Sequence, residues 1–84
     1  AEGGVLVVDD HPVNREVLTR QLELLGVRAS GTAADGEEAL ALWRLTRPAT
    51  VLLDIHMPVM DGFALARAIR AEEQRQGLAR TILI

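Results

Sequence analysis

The chain has 84 residues, of which 49% are hydrophobic and 25% are charged, and its net charge is −3. This composition is typical of one small globular domain and argues against disorder. The lack of cysteine excludes disulfides and thiolate metal sites and fits a reducing compartment. The basic residues are scattered and no apolar run is long enough to cross a bilayer, so neither a nucleic acid nor a membrane is an expected partner.

The first half of the chain predicts a buried strand, an amphipathic helix and a weaker strand. Residues 5–8 form a continuous apolar run, which is typical of a strand buried on both faces. Pro12 suits the first turn of a helix, and Gly26 is a natural terminator. Residues 27–33 predict a weaker strand because Ser, Gly and Thr dilute its apolar residues. The apolar stripe of the helix consists of Val13, Val17, Leu18, Leu22, Leu24 and Leu25.

A second helix is predicted from a capping-box pattern. Asp35 suits the N-cap position, and Glu38 follows three residues later. We expect the helix to run to about Leu45 and to end before Pro48, since proline breaks a helix. Trp43 is expected to join this helix to the sheet.

The second half ends with a strand, a helix and a short strand. Residues 50–54 form another apolar run that closes in an aspartate, and Asp61 can cap a helix over residues 62–76. Residues 81–84, "TILI", predict the last strand. The resulting order, β-α-β-α-β-α-β, indicates an α/β fold with a parallel sheet and helices on both faces. The inner side of the third helix is predicted to carry Ala64, Leu65, Ala68 and Ile69.

Three aspartates follow the first and third strands. Asp9 and Asp10 end the first strand, and Asp54 ends the third. Ligands of open α/β sheets bind at the carboxyl ends of the strands, so the three acids converge if those strands are neighbours. Crowded carboxylates need a cation, and oxygen ligands favour Mg²⁺ or Mn²⁺. An aspartate can also accept a phosphoryl group, and Asp54, which stands alone, is the better acceptor candidate.

The quoted stretches together resemble a response-regulator receiver domain, the phosphoacceptor module of two-component signalling. They are "VLVVDDHPVNR", "DGEEAL" and "VLLDIHMPVMDG", and they occur in the order and spacing of that family over nearly the whole chain. The resemblance implies a flavodoxin-like sheet of order 2-1-3-4-5. The "DHPVNR" stretch is more similar to receivers of hybrid sensor kinases than to stand-alone regulators.

The resemblance also implies roles and partners. Asp54 would accept a phosphoryl group from a phosphohistidine, Asp10 would bind Mg²⁺ directly, and Asp9 would hold metal-bound water or bind in part. The main-chain carbonyl of His56 would complete the protein ligands. The donor would be a histidine kinase or a histidine-phosphotransfer domain. The location would be the cytoplasm, which includes the cytoplasmic part of a membrane-anchored kinase. The enzymatic activity would be at most that of an autophosphatase.

The chain departs from the family pattern by stopping at Ile84. We therefore expect residues 1–84 to be an incomplete receiver domain of strand order 2-1-3-4, without the fifth strand and the last two helices. The family's Thr or Ser after the fourth strand and its Lys after the fifth would be missing too, and the chain has no lysine. Such a fragment would bind metal weakly, accept phosphate poorly and self-associate through the exposed fourth strand; alternatively, the source protein is longer.

Two other functions compete with phosphoryl acceptance. An aspartyl-nucleophile phosphatase would favour D-x-D at the first strand, whereas Asp9 and Asp10 are adjacent. A purely structural interaction module would not need the acids. The intact set of three argues against such a module for the parent protein, but it remains an alternative for this fragment. A dinucleotide site is not expected, because the first turn contains no G-x-G-x-x-G.

Overall fold

The structure, a computed structural model, describes residues 4–53 and 62–84. Strands and helices alternate through both parts. None of the described helices is long and apolar enough to span a bilayer. The elements are β1 (Val5–Val8), α1 (Pro12–Leu24), β2 (Ala29–Ala33), α2 (Gly36–Thr46), β3 (Thr50–Leu53), α3 (Gly62–Gln76) and β4 (Ile82–Leu83).

The four strands form one parallel sheet in the order β2-β1-β3-β4. This order confirms the predicted sheet, and it places β1 and β3 side by side. Val8 pairs with Leu53, so the carboxyl ends of the two strands lie at the same edge. The sheet therefore brings the residues that follow β1 next to the last described residue of β3.

Helices cover both faces of this sheet. Leu6 and Val8 pack with α2 and α3, whereas Val7, between them in the strand, points to the other face. On that other face α1 contacts β1 and β2. The main core lies on the α2–α3 face and consists of Leu6, Val8, Ala33, Ala39, Trp43, Val51, Leu65 and Ile69.

The apolar stripe predicted for α1 is buried only in part. Leu18 and Leu22 are half-buried, but Val13 is 70% exposed and Leu24 is 81% exposed. No side chain within the described residues 12–24 is fully buried. The stripe is wider than the side of the helix that reaches β1 and β2, so Val17 and the residues at the helix ends remain open to solvent.

The strand β2 begins two residues later than predicted. Gly26 adopts φ +77°, which glycine tolerates, and its N–H donates to the Glu23 carbonyl at 3.0 Å. The Val27 N–H donates to the Leu22 carbonyl at 2.8 Å. These two bonds form a Schellman motif that ends α1, and Val27 belongs to that motif rather than to the sheet.

The start of α2 forms as predicted. The Asp35 side chain accepts a hydrogen bond from the Glu38 N–H at 2.9 Å, and the helix then runs one residue beyond Leu45. Arg47 follows in the left-handed region with φ 50°, and its guanidinium carbon lies 5.0 Å from the centre of the Trp43 ring. The helix thus ends before Pro48, as expected.

A buried polar network joins α2, α3 and the segment before β4. Trp43 Nε1 donates to Thr81 Oγ1 at 2.9 Å, and the Thr81 N–H donates to Glu73 Oε2. Arg70 Nη1 donates to the other Glu73 oxygen at 2.8 Å. Burial raises the pKa of the Glu73 carboxyl, but the hydrogen bonds from Thr81 and Arg70 outweigh burial and hold the pKa below its ordinary value. Glu73 is therefore an ionised, fully paired group inside the fold.

Substitution of Glu73 by glutamine is expected to lower the free energy of unfolding by about 1–3 kcal/mol at neutral pH, because an amide leaves the Thr81 and Arg70 donors poorly satisfied. Since the folded-state pKa is lowered, this stabilisation is complete above about pH 4.5 and is lost as the pH falls through the folded-state value. Urea unfolding at about pH 7 and about pH 3 measures the change. The exposed Glu23→Gln is the control, and an equal loss for Glu73→Gln at both pH values would contradict this reading.

Candidate metal centre

The end of β1 holds Asp9 at the edge of the sheet. The Asp9 N–H donates to the Ala33 carbonyl at 3.0 Å, which extends the β1–β2 ladder by one residue. Arg15 Nη1, from the first turns of α1, donates to the Asp9 carbonyl at 2.7 Å. Hydrogen bonds at its N–H and at its carbonyl therefore hold the main chain of Asp9 in place. The chain leaves the sheet at Asp10.

The carboxylate of Asp9 is held by His11. Its Oδ1 accepts the His11 N–H at 2.9 Å and lies 3.2 Å from the His11 Nδ1. Burial raises the pKa of the Asp9 carboxyl, but the hydrogen bonds from His11, the charge of its ring and a hydrogen bond from Asn14 outweigh burial and hold the pKa below its ordinary value. Asp9 is thus ionised at neutral pH.

Asp10 carries an oxygen that the described residues do not satisfy. Its Oδ1 is buried and accepts no hydrogen bond from them. The His11 Nδ1 lies 2.9 Å from this oxygen as an ion-pair contact, but outside hydrogen-bond geometry. A buried carboxylate oxygen without a donor is costly, and a bound cation removes that cost. The site therefore fits a divalent cation held by oxygen ligands.

The acids and the histidine form one group. One ligand atom from each of Asp9, Asp10 and His11 lies within 4.8 Å of the other two. The Asp9 and Asp10 side chains are 14% and 28% exposed, and His11 is 67% exposed. The group is therefore open to ions from solvent, yet its oxygens are largely shielded from water.

The structure brings together part of the predicted site. Asp9 and Asp10 are adjacent at the carboxyl edge of the sheet, as expected from the strand pattern. Asp54 and the His56 carbonyl lie outside the described residues, as does the predicted cap Asp61. Leu53, which precedes Asp54, pairs with Val8, which precedes Asp9.

Two contacts of this site were not predicted from the sequence. Arg15 bonds the Asp9 carbonyl, and a spacing of six residues gives no sign of that bond. The ring of His11 contacts both acids, and no role in this site was predicted for it. Only the position of His11 directly after the acid pair could have suggested this contact.

The chain matches the family model of the response regulator receiver domain over residues 5–83. It is 51% identical over 78 residues to the virulence sensor protein BvgS of Bordetella pertussis, with 92% of this chain and 6% of that protein covered. It is 47% identical over 66 residues to the sensor histidine kinase RcsC of Escherichia coli, with 79% of this chain and 7% of that protein covered. The chain thus spans less than a tenth of the length of these relatives.

A solved structure supports the same assignment. A chain of the CheX–CheY–BeF3–Mg²⁺ complex from Borrelia burgdorferi is 35% identical and superposes with a TM-score of 0.81, with 86% of this chain and 55% of that chain covered. This superposition, together with the β2-β1-β3-β4 order of the sheet, confirms the predicted flavodoxin-like fold. On the match over residues 5–83, the chain belongs to the response regulator receiver domain family of two-component systems.

Proposed function

We propose that this chain accepts a phosphoryl group on Asp54, with Mg²⁺ or Mn²⁺ held by Asp9 and Asp10. The observation that carries the proposal is the buried Asp10 oxygen, which has no donor among residues 4–53 and 62–84 and lies beside the ionised Asp9. The pairing of Val8 with Leu53 supports it, because Leu53, which precedes Asp54 in the sequence, lies beside the residue that precedes Asp9. Membership of the receiver family supports Asp54 as the acceptor.

The proposed reaction needs few groups from the protein. A carboxylate oxygen of Asp54 attacks the phosphorus, the bond from phosphorus to the donor imidazole nitrogen breaks, and the imidazole leaves with that electron pair. The divalent ion would neutralise the charge of the phosphoryl oxygens. Asp10 and Asp9 would hold the ion, with the His56 carbonyl as a further ligand. Arg15 would keep Asp9 in place through its main-chain carbonyl.

The proposed metal is supported by the donor chemistry and by one relative. Carboxylate oxygens are the ligands that Mg²⁺ prefers, and Asp10 Oδ1 has no competing donor among the described residues. The CheX–CheY complex from Borrelia burgdorferi contains Mg²⁺ together with BeF3. The same ion in this chain would bind beside the end of β1.

The proposed donor is a phosphohistidine of a histidine kinase or of a histidine-phosphotransfer domain. The sensor histidine kinase RcsC is among the relatives, which supports a partner of this class. Val13 and Val17 are 70% and 48% exposed on α1, and this helix begins immediately after His11. We propose that the donor docks on this apolar surface next to the acids. Because histidine kinases use ATP, we propose that the chain lies in the cytoplasm.

Phosphoramidate, which like phosphohistidine carries a P–N bond, tests the proposal directly. The 84-residue chain is incubated with phosphoramidate and MgCl2, and the intact mass is measured. We expect a phosphoryl adduct that is absent in excess EDTA and absent in Asp54→Asn. Asp61→Asn, a matched change nearby in sequence, should retain the adduct. An unchanged adduct in Asp54→Asn would sink the proposed acceptor.

A second proposal concerns the 84-residue polypeptide itself. Among the described strands β4 pairs only with β3, and Ile82 and Ile84 are 59% and 69% exposed. Unpaired strand edges with apolar side chains favour pairing between chains, so we propose that the polypeptide self-associates through β4. Sedimentation velocity over a range of concentrations should show dimers or larger species. A monomer at every concentration would contradict this proposal.

A further inference from the structure

The geometry points to His11 as a metal ligand that raises the affinity of this site for borderline transition ions such as Ni²⁺, Co²⁺ and Zn²⁺. In this reading the imidazole Nδ1 binds the ion together with Asp9 and Asp10. The inference rests on the proposed function in one respect, namely that the acid pair binds a divalent cation. It does not depend on Asp54 or on phosphoryl transfer.

The distances between the donor atoms suit one ion. The His11 Nδ1 lies 3.2 Å from Asp9 Oδ1 and 2.9 Å from Asp10 Oδ1. Ligand atoms bound at about 2.1 Å to one octahedral ion are about 3 Å apart when they are neighbours. Both distances from the His11 Nδ1 therefore match those between neighbouring ligands of one ion.

The His11 ring is not committed to another structural task. His11 is the N-cap residue of α1, yet its side chain makes no cap hydrogen bond. Asn, Asp and Ser at that position normally use the side chain to satisfy a helix N–H. Here the ring instead contacts the two carboxylates and remains 67% exposed. It can therefore move by the small distance that metal binding requires without disturbing the helix.

Each acid keeps an oxygen for the ion. Asp9 Oδ1 accepts the His11 N–H, but a carboxylate oxygen has a second lone pair, with which it can bind the ion. Asp10 Oδ1 is buried and accepts no hydrogen bond within the described part of the chain. Binding of a cation would thus satisfy a buried oxygen that has no donor among the described residues.

An imidazole ligand changes which ion the site prefers. Mg²⁺ favours oxygen ligands and water, so it gains little from a nitrogen donor. First-row transition ions bind imidazole well, and their affinity rises from Mn²⁺ through Co²⁺ and Ni²⁺. A site of two carboxylates and one imidazole should therefore bind Ni²⁺ more tightly than Mg²⁺, and the difference should depend on His11.

Calorimetric titration of the full chain with NiCl2 and, separately, with MgCl2 tests this inference. In His11→Gln we expect the dissociation constant for Ni²⁺ to rise at least about tenfold, and the constant for Mg²⁺ to stay within about twofold of the original. The Mg²⁺ titration also shows that the variant keeps a folded site. His56→Gln, which removes the only other imidazole of the sequence, identifies which histidine binds Ni²⁺.

Nitrogen NMR of the histidine rings with ZnCl2 gives a second readout. We expect a shift of the His11 Nδ1 resonance on addition of Zn²⁺ and none of that size on addition of Mg²⁺. The inference would be overturned if His11→Gln left the Ni²⁺ affinity unchanged, or if His56→Gln lowered the Ni²⁺ affinity as much or more. Neither result would count against Mg²⁺ binding. Failure of the original chain to bind Mg²⁺ would instead count against the proposed function.

Discussion

Substitution of Trp43 by alanine is expected to lower the free energy of unfolding by about 3–5 kcal/mol. Trp43 is 1% exposed and belongs to the core cluster between α2, α3 and the sheet. Its loss opens a large cavity and leaves Thr81 Oγ1 without its donor. A domain of this size is stabilised by about 4–13 kcal/mol in total, so the variant should be partly unfolded at moderate temperature.

Two further variants separate the causes of this loss. Trp43→Phe keeps much of the buried ring but removes the Nε1 donor, and we expect it to cost less than alanine does. Leu45→Ala changes a side chain on the same helix that is 79% exposed, and it should cost no more than about 0.5 kcal/mol. Urea unfolding followed by far-ultraviolet circular dichroism measures all three, since tryptophan fluorescence is lost in two of them. A cost below about 1 kcal/mol for Trp43→Ala would contradict the role of this ring.

Asp10→Asn is expected to weaken Mg²⁺ binding by more than about tenfold, because the amide removes the negative charge that faces the ion. In the metal-free chain the same change should keep or raise the stability. The reason is that the buried Asp10 Oδ1 has no hydrogen-bond donor among the described residues. Asp10→Asn should therefore weaken Mg²⁺ binding without lowering the stability of the metal-free chain.

The two effects of Asp10→Asn are measured by MgCl2 calorimetry and by urea unfolding in EDTA. Glu37→Gln is the control, since it removes one negative charge from an exposed position in the first turn of α2. We expect the control to leave Mg²⁺ affinity within about twofold, because exposed charges at a distance are screened by salt. Mg²⁺ affinity that is the same in Asp10→Asn as in the original chain would remove Asp10 from the metal site.

The sheet and the helices could be predicted because their signals are local in the sequence. The apolar run at residues 5–8 and the Asp35–Glu38 pattern each specify an element within a few residues. The buried network could not be predicted in the same way. Trp43 and Thr81 are 38 residues apart, and Glu73 is a charged residue that sequence patterns place on the surface. Glu73 is buried because Arg70 and the Thr81 N–H satisfy its carboxylate, which only the packed structure shows.

The candidate site was predictable to the level of the acid pair. Two aspartates after a buried strand indicated a cation site, and the sheet order brings their strand beside β3. The unsatisfied oxygen of Asp10 and the contact of the His11 ring with both carboxylates depend on side-chain conformations. No spacing rule gives those conformations. The role of Asp54 therefore stays a prediction from sequence and family, and it needs a chemical test.

Chemical localisation of the phosphoryl group tests whether Asp54 is the acceptor. The chain is treated with phosphoramidate and MgCl2, and the product is then reduced with borohydride, which converts an aspartyl phosphate to homoserine. Peptide mass spectrometry identifies the converted residue. We expect homoserine at position 54 and nowhere else, and only when Mg²⁺ is present. Homoserine at position 9, 10 or 61, or conversion at position 54 without a divalent ion, would contradict this expectation.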